Sequence, residues 1–218
     1  MTTPVKATLI SLALIIVLAI AAIIVTILNR PATPVPDGSA GAAPVTRANS
    51  HVVDNAGEDA PTLVEFLDFE CEACGALYPA VEQIRADYEG EINYVIRYFP
   101  LPGHFNSMNA AIAAEAAAQQ GEFEGMYHRL FETQTQWGEQ QVSHADLFRT
   151  FAEDLGLDMD AYDAAVADPA TQARVEEDFN DGQNLGVSGT PSFFLNGQKL
   201  DLTQLSDLTD ALDEATGR

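Results

Sequence analysis

Residues 62–74 read TLVEFLDFECEAC, and this stretch decides the fold. Residues 62–69 form a short, mostly apolar run of the kind that suits a strand buried on both faces. Cys71-Glu72-Ala73-Cys74 follows at once and opens a helical pattern over residues 72–87, with Leu77, Val81, Ile84 and Tyr88 on one stripe. Cys71 is therefore expected at a strand-to-helix junction, where unpaired backbone N–H groups and the helix dipole favour an anion. Such a position lowers a cysteine pKa from about 8.5 to about 3.5–7.5, and the thiolate is the nucleophile of disulfide exchange. A lone CxxC is also what half of a zinc site looks like. Three companions sharpen the redox reading. Pro79 sits inside the helical pattern, where proline costs about 3 kcal/mol. Glu65 interrupts the apolar strand, where an ionised carboxylate is expensive. Gly189-Thr190-Pro191 stands directly before a hairpin signal, a place for a cis proline.

Downstream, residues 92–99 (INYVIRYF) predict a second strand. Residues 108–120 are Ala-rich and helical, and Phe123, Met126, Tyr127, Leu130 and Phe131 continue at helical spacing. Two more helical patterns cover residues 145–155 and 171–185. Residues 192–195 and 198–200 flank Asn196-Gly197, a strong hairpin signal, and Leu205, Leu208 and Leu212 mark a closing helix.

Upstream, residues 7–28 (ATLISLALIIVLAIAAIIVTIL) hold no charge. At 1.5 Å per residue they span about 33 Å, enough to cross a hydrocarbon core of roughly 30 Å. A cleaved signal peptide competes with an uncleaved anchor, but its apolar region is usually about 7–15 residues. Residues 1–6 are read as a short tail. Residues 29–60 are rich in Pro, Ala, Gly and Ser and read as a tether, with one possible short strand at 51–53. The chain has 218 residues, 10 basic against 33 acidic, a net −23, which argues against a nucleic-acid partner. His51, His104, His128 and His144 show no ligand spacing and are read as surface or packing residues. Asp68, Glu70 and Glu72 crowd Cys71 and as charges should oppose its thiolate.

A CxxC at a helix start, an acid six residues upstream, a helix proline five downstream and a distal Thr-Pro before a hairpin resemble the thioredoxin superfamily. The helical block between the strands, with FLDFECEAC, IRYFPL and LGVSGTPSFFLNG, resembles its DsbA-like disulfide oxidoreductases over residues 51–215. The fold this implies is α/β: a thioredoxin fold over residues 61–218 with a helical insertion at about 104–185, preceded by a single transmembrane helix. By the same resemblance Cys71 is the exposed nucleophile, Cys74 the buried resolving thiol and Glu65 the acid that manages its proton. Glu65 as a salt-bridged structural carboxylate is the competing reading. Pro191 would be the cis-proline facing the disulfide, with Thr190 offering backbone to substrate. DsbA carries Pro-His between its cysteines, so Glu72 and Ala73 are the residues expected to tune the potential.

The expected function is thiol–disulfide exchange with secreted or cell-envelope proteins, as an oxidase. An isomerase or reductase, or a non-enzymatic binding module, is the alternative. The expected partners are reduced or misfolded extracytoplasmic proteins and a membrane redox protein that resets the CxxC pair. No cofactor or metal ion is expected. Isomerases of this superfamily usually carry a dimerisation domain, for which residues 29–60 are too short, so a monomer is expected. The expected location is the cell membrane, single-pass, with the catalytic domain extracytoplasmic.

Overall fold

The computed structural model describes residues 43–218. The apolar run at 7–28 lies outside them, and among the described residues no helix is long and apolar enough to cross a membrane. The sheet is built from β1 (His51–Asp54), β2 (Thr62–Leu67), β3 (Asn93–Tyr98), β4 (Ser192–Leu195) and β5 (Gln198–Lys199) in the order β1-β3-β2-β4-β5. β2 is central, parallel to β3 and antiparallel to β4. The parallel β2–β3 pair requires a crossover, which α1 (Glu72–Asp87) supplies, running unbroken through Pro79.

Strand alternation then sorts β2. Val64 and Phe66 face a small core with Val95, Phe99, Val187 and Phe194. Leu63 and Leu67 face the larger core, which also holds Cys74, Val81 and Ile84 of α1. Glu65 shares that second face, opposite Ile96 on β3 and Phe193 on β4. An apolar strand therefore points a carboxyl group into the layer that contains the CxxC helix.

Between β3 and β4 lies a helical block: α2 (Ser107–Ala118), α3 (Phe123–Glu132), α4 (Gln134–Trp137), α5 (Ala145–Asp154), α6 (Met159–Ala167) and α7 (Pro169–Asn184). α2 packs against α3, α5, α6 and α7, and buries Ala110, Ala111, Ala113, Ala114, Ala116 and Ala117. Alanine suits this central helix because its short side chain lets neighbours approach from every side. The sequence reading did not find α4 or α6. α6 is capped by Asp158, whose side chain accepts from Asp160 N and Ala161 N, and its apolar residues are mostly alanine, too small to give a clear stripe. The chain ends in α8 (Leu205–Thr216), which buries Leu208 and Leu212. Asn196 (φ 50°) and Gly197 (φ 82°) make the tight β4–β5 turn, and the Thr190–Pro191 peptide bond is cis.

Residues 44–60, read from sequence as part of a tether, belong to the folded domain. β1 pairs antiparallel with β3. Arg97 of β3, fully buried, binds Asp178 (2.5 Å) and Asp181 (2.6 Å) of α7 and donates to the carbonyls of Pro44 and Val45. Arg47 reaches Asp181, and Arg174 donates to Asn49 O. The Pro-rich composition concealed this, because ion pairs to distant carboxylates leave no local pattern.

Candidate active site

The site is built around the start of α1. Cys71 is its N-cap residue with extended backbone (φ −66°, ψ 122°), and Glu72 and Ala73, both exposed, form the first turn. The Cys71 N–H donates to Asp68 O (3.2 Å), and Cys71 O accepts from Gly75 N (3.0 Å). The two thiols are free. The contrast expected between an exposed and a buried cysteine is small in area: Cys71 is 6% exposed and Cys74 2%. It is large in chemistry. A hydrogen bond from Cys74, helped by Thr190 and the backbone N–H groups of Cys74 and Ala73, outweighs burial and lowers the Cys71 thiol to about 5. Burial, then the bond to Cys71 and the Glu65 charge, hold the Cys74 thiol well above its ordinary value. At neutral pH the pair is one thiolate and one thiol.

Thr190 enters from the loop before β4. Its carbonyl oxygen lies 3.4 Å from Cys71 Sγ, so Thr190 and the adjoining Pro191 form the wall of the site opposite the helix. Glu65 closes it from below. The carboxyl is 3% exposed and has the Tyr94 hydroxyl as its hydrogen-bond donor, where the competing sequence reading expected a salt-bridge cation. Burial raises its pKa to about 7, the Tyr94 bond opposes that shift and the Glu82 charge adds to it. A group poised there can hold or release a proton at neutral pH.

Four further side chains shape the site, and two of them, His104 and Gln134, gave no local sequence signal. Asp68 and Glu70 are buried and hydrogen-bonded rather than free charges beside the thiol. Asp68 accepts from Glu70 N, Leu101 N, Ser107 Oγ (2.5 Å) and the His104 ring (2.6 Å). Glu70 accepts from Asn106 N (2.5 Å) and Glu139 N (3.0 Å), tying the CxxC loop to the helical block. Gln134 of α4 donates to the carbonyls of Phe69 and Cys71, both at 2.8 Å, and Gly75 leaves it room: a Cβ there would stand 1.9 Å from Gln134 Oε1. His104, read from sequence as an ordinary surface or packing residue, belongs to the site through Asp68. The exposed carboxyls of Glu72 and Glu139 are hydrogen-bonded, which holds Glu72 below and Glu139 above the usual carboxylate range.

Cys71, Cys74, Glu65, Thr190 and Pro191 thus converge, with Glu72 and Ala73 on the outer rim. A buried mid-strand acid, a split thiol pair and a carbonyl wall can together accept a sulfur nucleophile and manage one proton.

Comparison with known proteins agrees with this architecture. A family model described as Thioredoxin matches residues 56–214. The thioredoxin-like oxidoreductase from Silicibacter pomeroyi DSS-3 is 28% identical with a TM-score of 0.65, over 80% of this chain and 96% of that one. Wolbachia pipientis alpha-DsbA1 shares the fold at 20% identity and a TM-score of 0.67, over 79% of this chain and 93% of that one. Among curated relatives, "Na(+)/H(+) antiporter NhaA 3" of Salinispora tropica is 40% identical over 158 residues, 72% of this chain but 23% of that protein. The chain spans about a quarter of the length of the curated relatives it matches, so the antiporter name describes a protein much longer than the matched part. The chain belongs to the thioredoxin family, with the architecture of its DsbA-like oxidoreductases.

Proposed function

We propose that this oxidoreductase donates disulfides to extracytoplasmic proteins through Cys71 and Cys74. The observation that carries the reading is the placement of the pair, with Cys71 capping α1 and Thr190 O 3.4 Å from its sulfur while Cys74 is buried, which lowers the Cys71 thiol to about 5 and raises that of Cys74. A stabilised thiolate favours the reduced pair, so the oxidised pair passes its disulfide on readily. In the first step a substrate thiolate attacks Cys71 Sγ, forming a mixed disulfide while the Cys71–Cys74 bond breaks. Cys74 departs with the electron pair and takes a proton, for which Glu65 is the donor at hand. A second substrate thiolate then attacks the substrate sulfur of the mixed disulfide, and Cys71 leaves as a thiolate. The substrate is oxidised by two electrons and the enzyme pair is reduced by two; a membrane redox partner restores it. The Thr190 carbonyl beside Cys71 Sγ supports a role for Thr190 and Pro191 in holding an extended substrate segment by its backbone, which tolerates many sequences.

The uncharged run at residues 7–28 supports a membrane tether, with residues 29–43 as the spacer and a monomeric domain outside the cytoplasm. The test of function is reoxidation of a reduced, unfolded disulfide-containing enzyme by the oxidised full chain. The expected outcome is recovery of its activity at a rate set by the added protein. Recovery no faster than in a Cys71→Ser control would refute the reading.

A further inference from the structure

Around Cys71 the described residues bring together the carboxyls of Asp68, Glu70, Glu72 and Glu139. Beside them stands His104, in the loop between β3 and α2. Its placement is specific. Nδ1 lies 2.6 Å from Asp68 Oδ2, and Asp68 is itself immobilised by Ser107, Leu101 N and Glu70 N. The backbone carbonyl of the same Asp68 accepts the Cys71 N–H, so the His104 ring and the Cys71 backbone are held by one residue. The His104 side chain is 22% exposed and lines an open cleft of about 480 Å³ with Pro100, Leu101, Met108, Phe179 and Glu176.

We propose that His104, oriented by Asp68, is the positioning residue whose imidazolium supports the Cys71 thiolate. This rests on the reading of Cys71 as the sulfur that the substrate attacks and that leaves as the thiolate. Desolvation opposes protonation of the ring, but the Asp68 bond and the charges of Asp68, Cys71 and Glu70 outweigh it, raising the pKa of His104 above its ordinary value. The ring in turn favours the ionised form of Glu72 and Glu139. Coupling between two titrating sites is reciprocal. Whatever the Cys71 charge does to His104, His104 does to Cys71. The two are both charged between the Cys71 midpoint near 5 and the His104 midpoint, so thiolate support covers that interval and fades above it. Glu176 lines the same cleft.

The test uses the full chain. Histidine NMR titrations of the reduced and the oxidised protein come first, with His104→Gln identifying the resonance among the 4 histidines. Oxidation removes the thiolate but leaves Asp68, so the His104 midpoint is expected to be higher in the reduced form. Thiolate absorbance against pH then reports Cys71. His104→Gln keeps an amide donor for Asp68 and loses the charge; a solvent-screened pair of this kind predicts about a threefold fall in the thiolate-to-thiol ratio near the Cys71 midpoint. His104→Lys is expected to restore it. Equal His104 midpoints in the two redox states would overturn the proposal, as would an unmoved Cys71 midpoint in His104→Gln. Absence of oxidase activity alongside an intact His104–Cys71 linkage would instead overturn the proposed function alone.

Discussion

Glu65→Gln is the perturbation that separates the chemistry of the buried acid from its cost to the fold. The folded pKa of Glu65 is about 7 against an ordinary 4.5, because burial in the sheet disfavours its charge. The native state therefore binds this proton more tightly than the unfolded chain does. Stability from that proton is fully present below about pH 4.5 and is lost as pH rises through 7. At 1.36 kcal/mol per pKa unit the loss amounts to roughly 3 kcal/mol. Glutamine keeps an acceptor for the Tyr94 hydroxyl but cannot ionise. Any fixed penalty from its buried amide shifts the stability equally at every pH, so the slope is the signal. Urea unfolding of the two proteins in the disulfide form, where neither thiol titrates, should give a difference near constant at low pH. It should then grow in favour of the variant by roughly 3 kcal/mol towards about pH 8. In stopped-flow exchange the same variant should slow the step that frees or consumes Cys74 and leave attack at Cys71 nearly unchanged. A stability difference flat with pH to within about 0.5 kcal/mol would refute the assignment of a raised, titrating carboxyl at Glu65.

Gly75→Ala should cost about 1–3 kcal/mol and slow exchange, because its Cβ displaces the Gln134 amide that holds Phe69 O and Cys71 O; thermal unfolding and thiol-exchange rates read both effects, and wild-type values for the two would discount the Gln134 contact. Arg97→Met leaves Asp178 and Asp181 buried without their shared cation and should lose roughly 3–5 kcal/mol in urea unfolding, with faster proteolysis near residues 44–50. Replacing Glu72 with Pro and Ala73 with His removes an acidic rim charge and adds an imidazole at exposed positions of the first turn, where proline is tolerated. The reduction potential measured against glutathione should rise by about 30 mV for each unit by which the Cys71 pKa falls. An unchanged potential would remove the dipeptide from control of the thiolate.

Local chemistry determined much of this protein. Two apolar runs separated by one helix-length stripe specify adjacent parallel strands, since a parallel pair needs a crossover of that size. The Asn196-Gly197 turn is set by residues that tolerate positive φ. The convergence of Cys71, Cys74, Glu65, Thr190 and Pro191 was anticipated from spacing and from family resemblance, and alternation along β2 explains why Glu65 points towards Cys74. Tertiary structure alone decided the rest. Whether Glu65 faces a cation or the Tyr94 hydroxyl depends on what β3 places on the same face, two residues from the Ile96 opposite it. Residues 44–50 look like spacer by composition, yet Arg97, Arg47 and Arg174 draw them onto the fold through carboxylates on α7. His104 has no ligand spacing to betray it, and Gln134 no motif. Both reach the site by contacts across 36 and 63 residues of chain, and such contacts have no period or local propensity that a sequence can display.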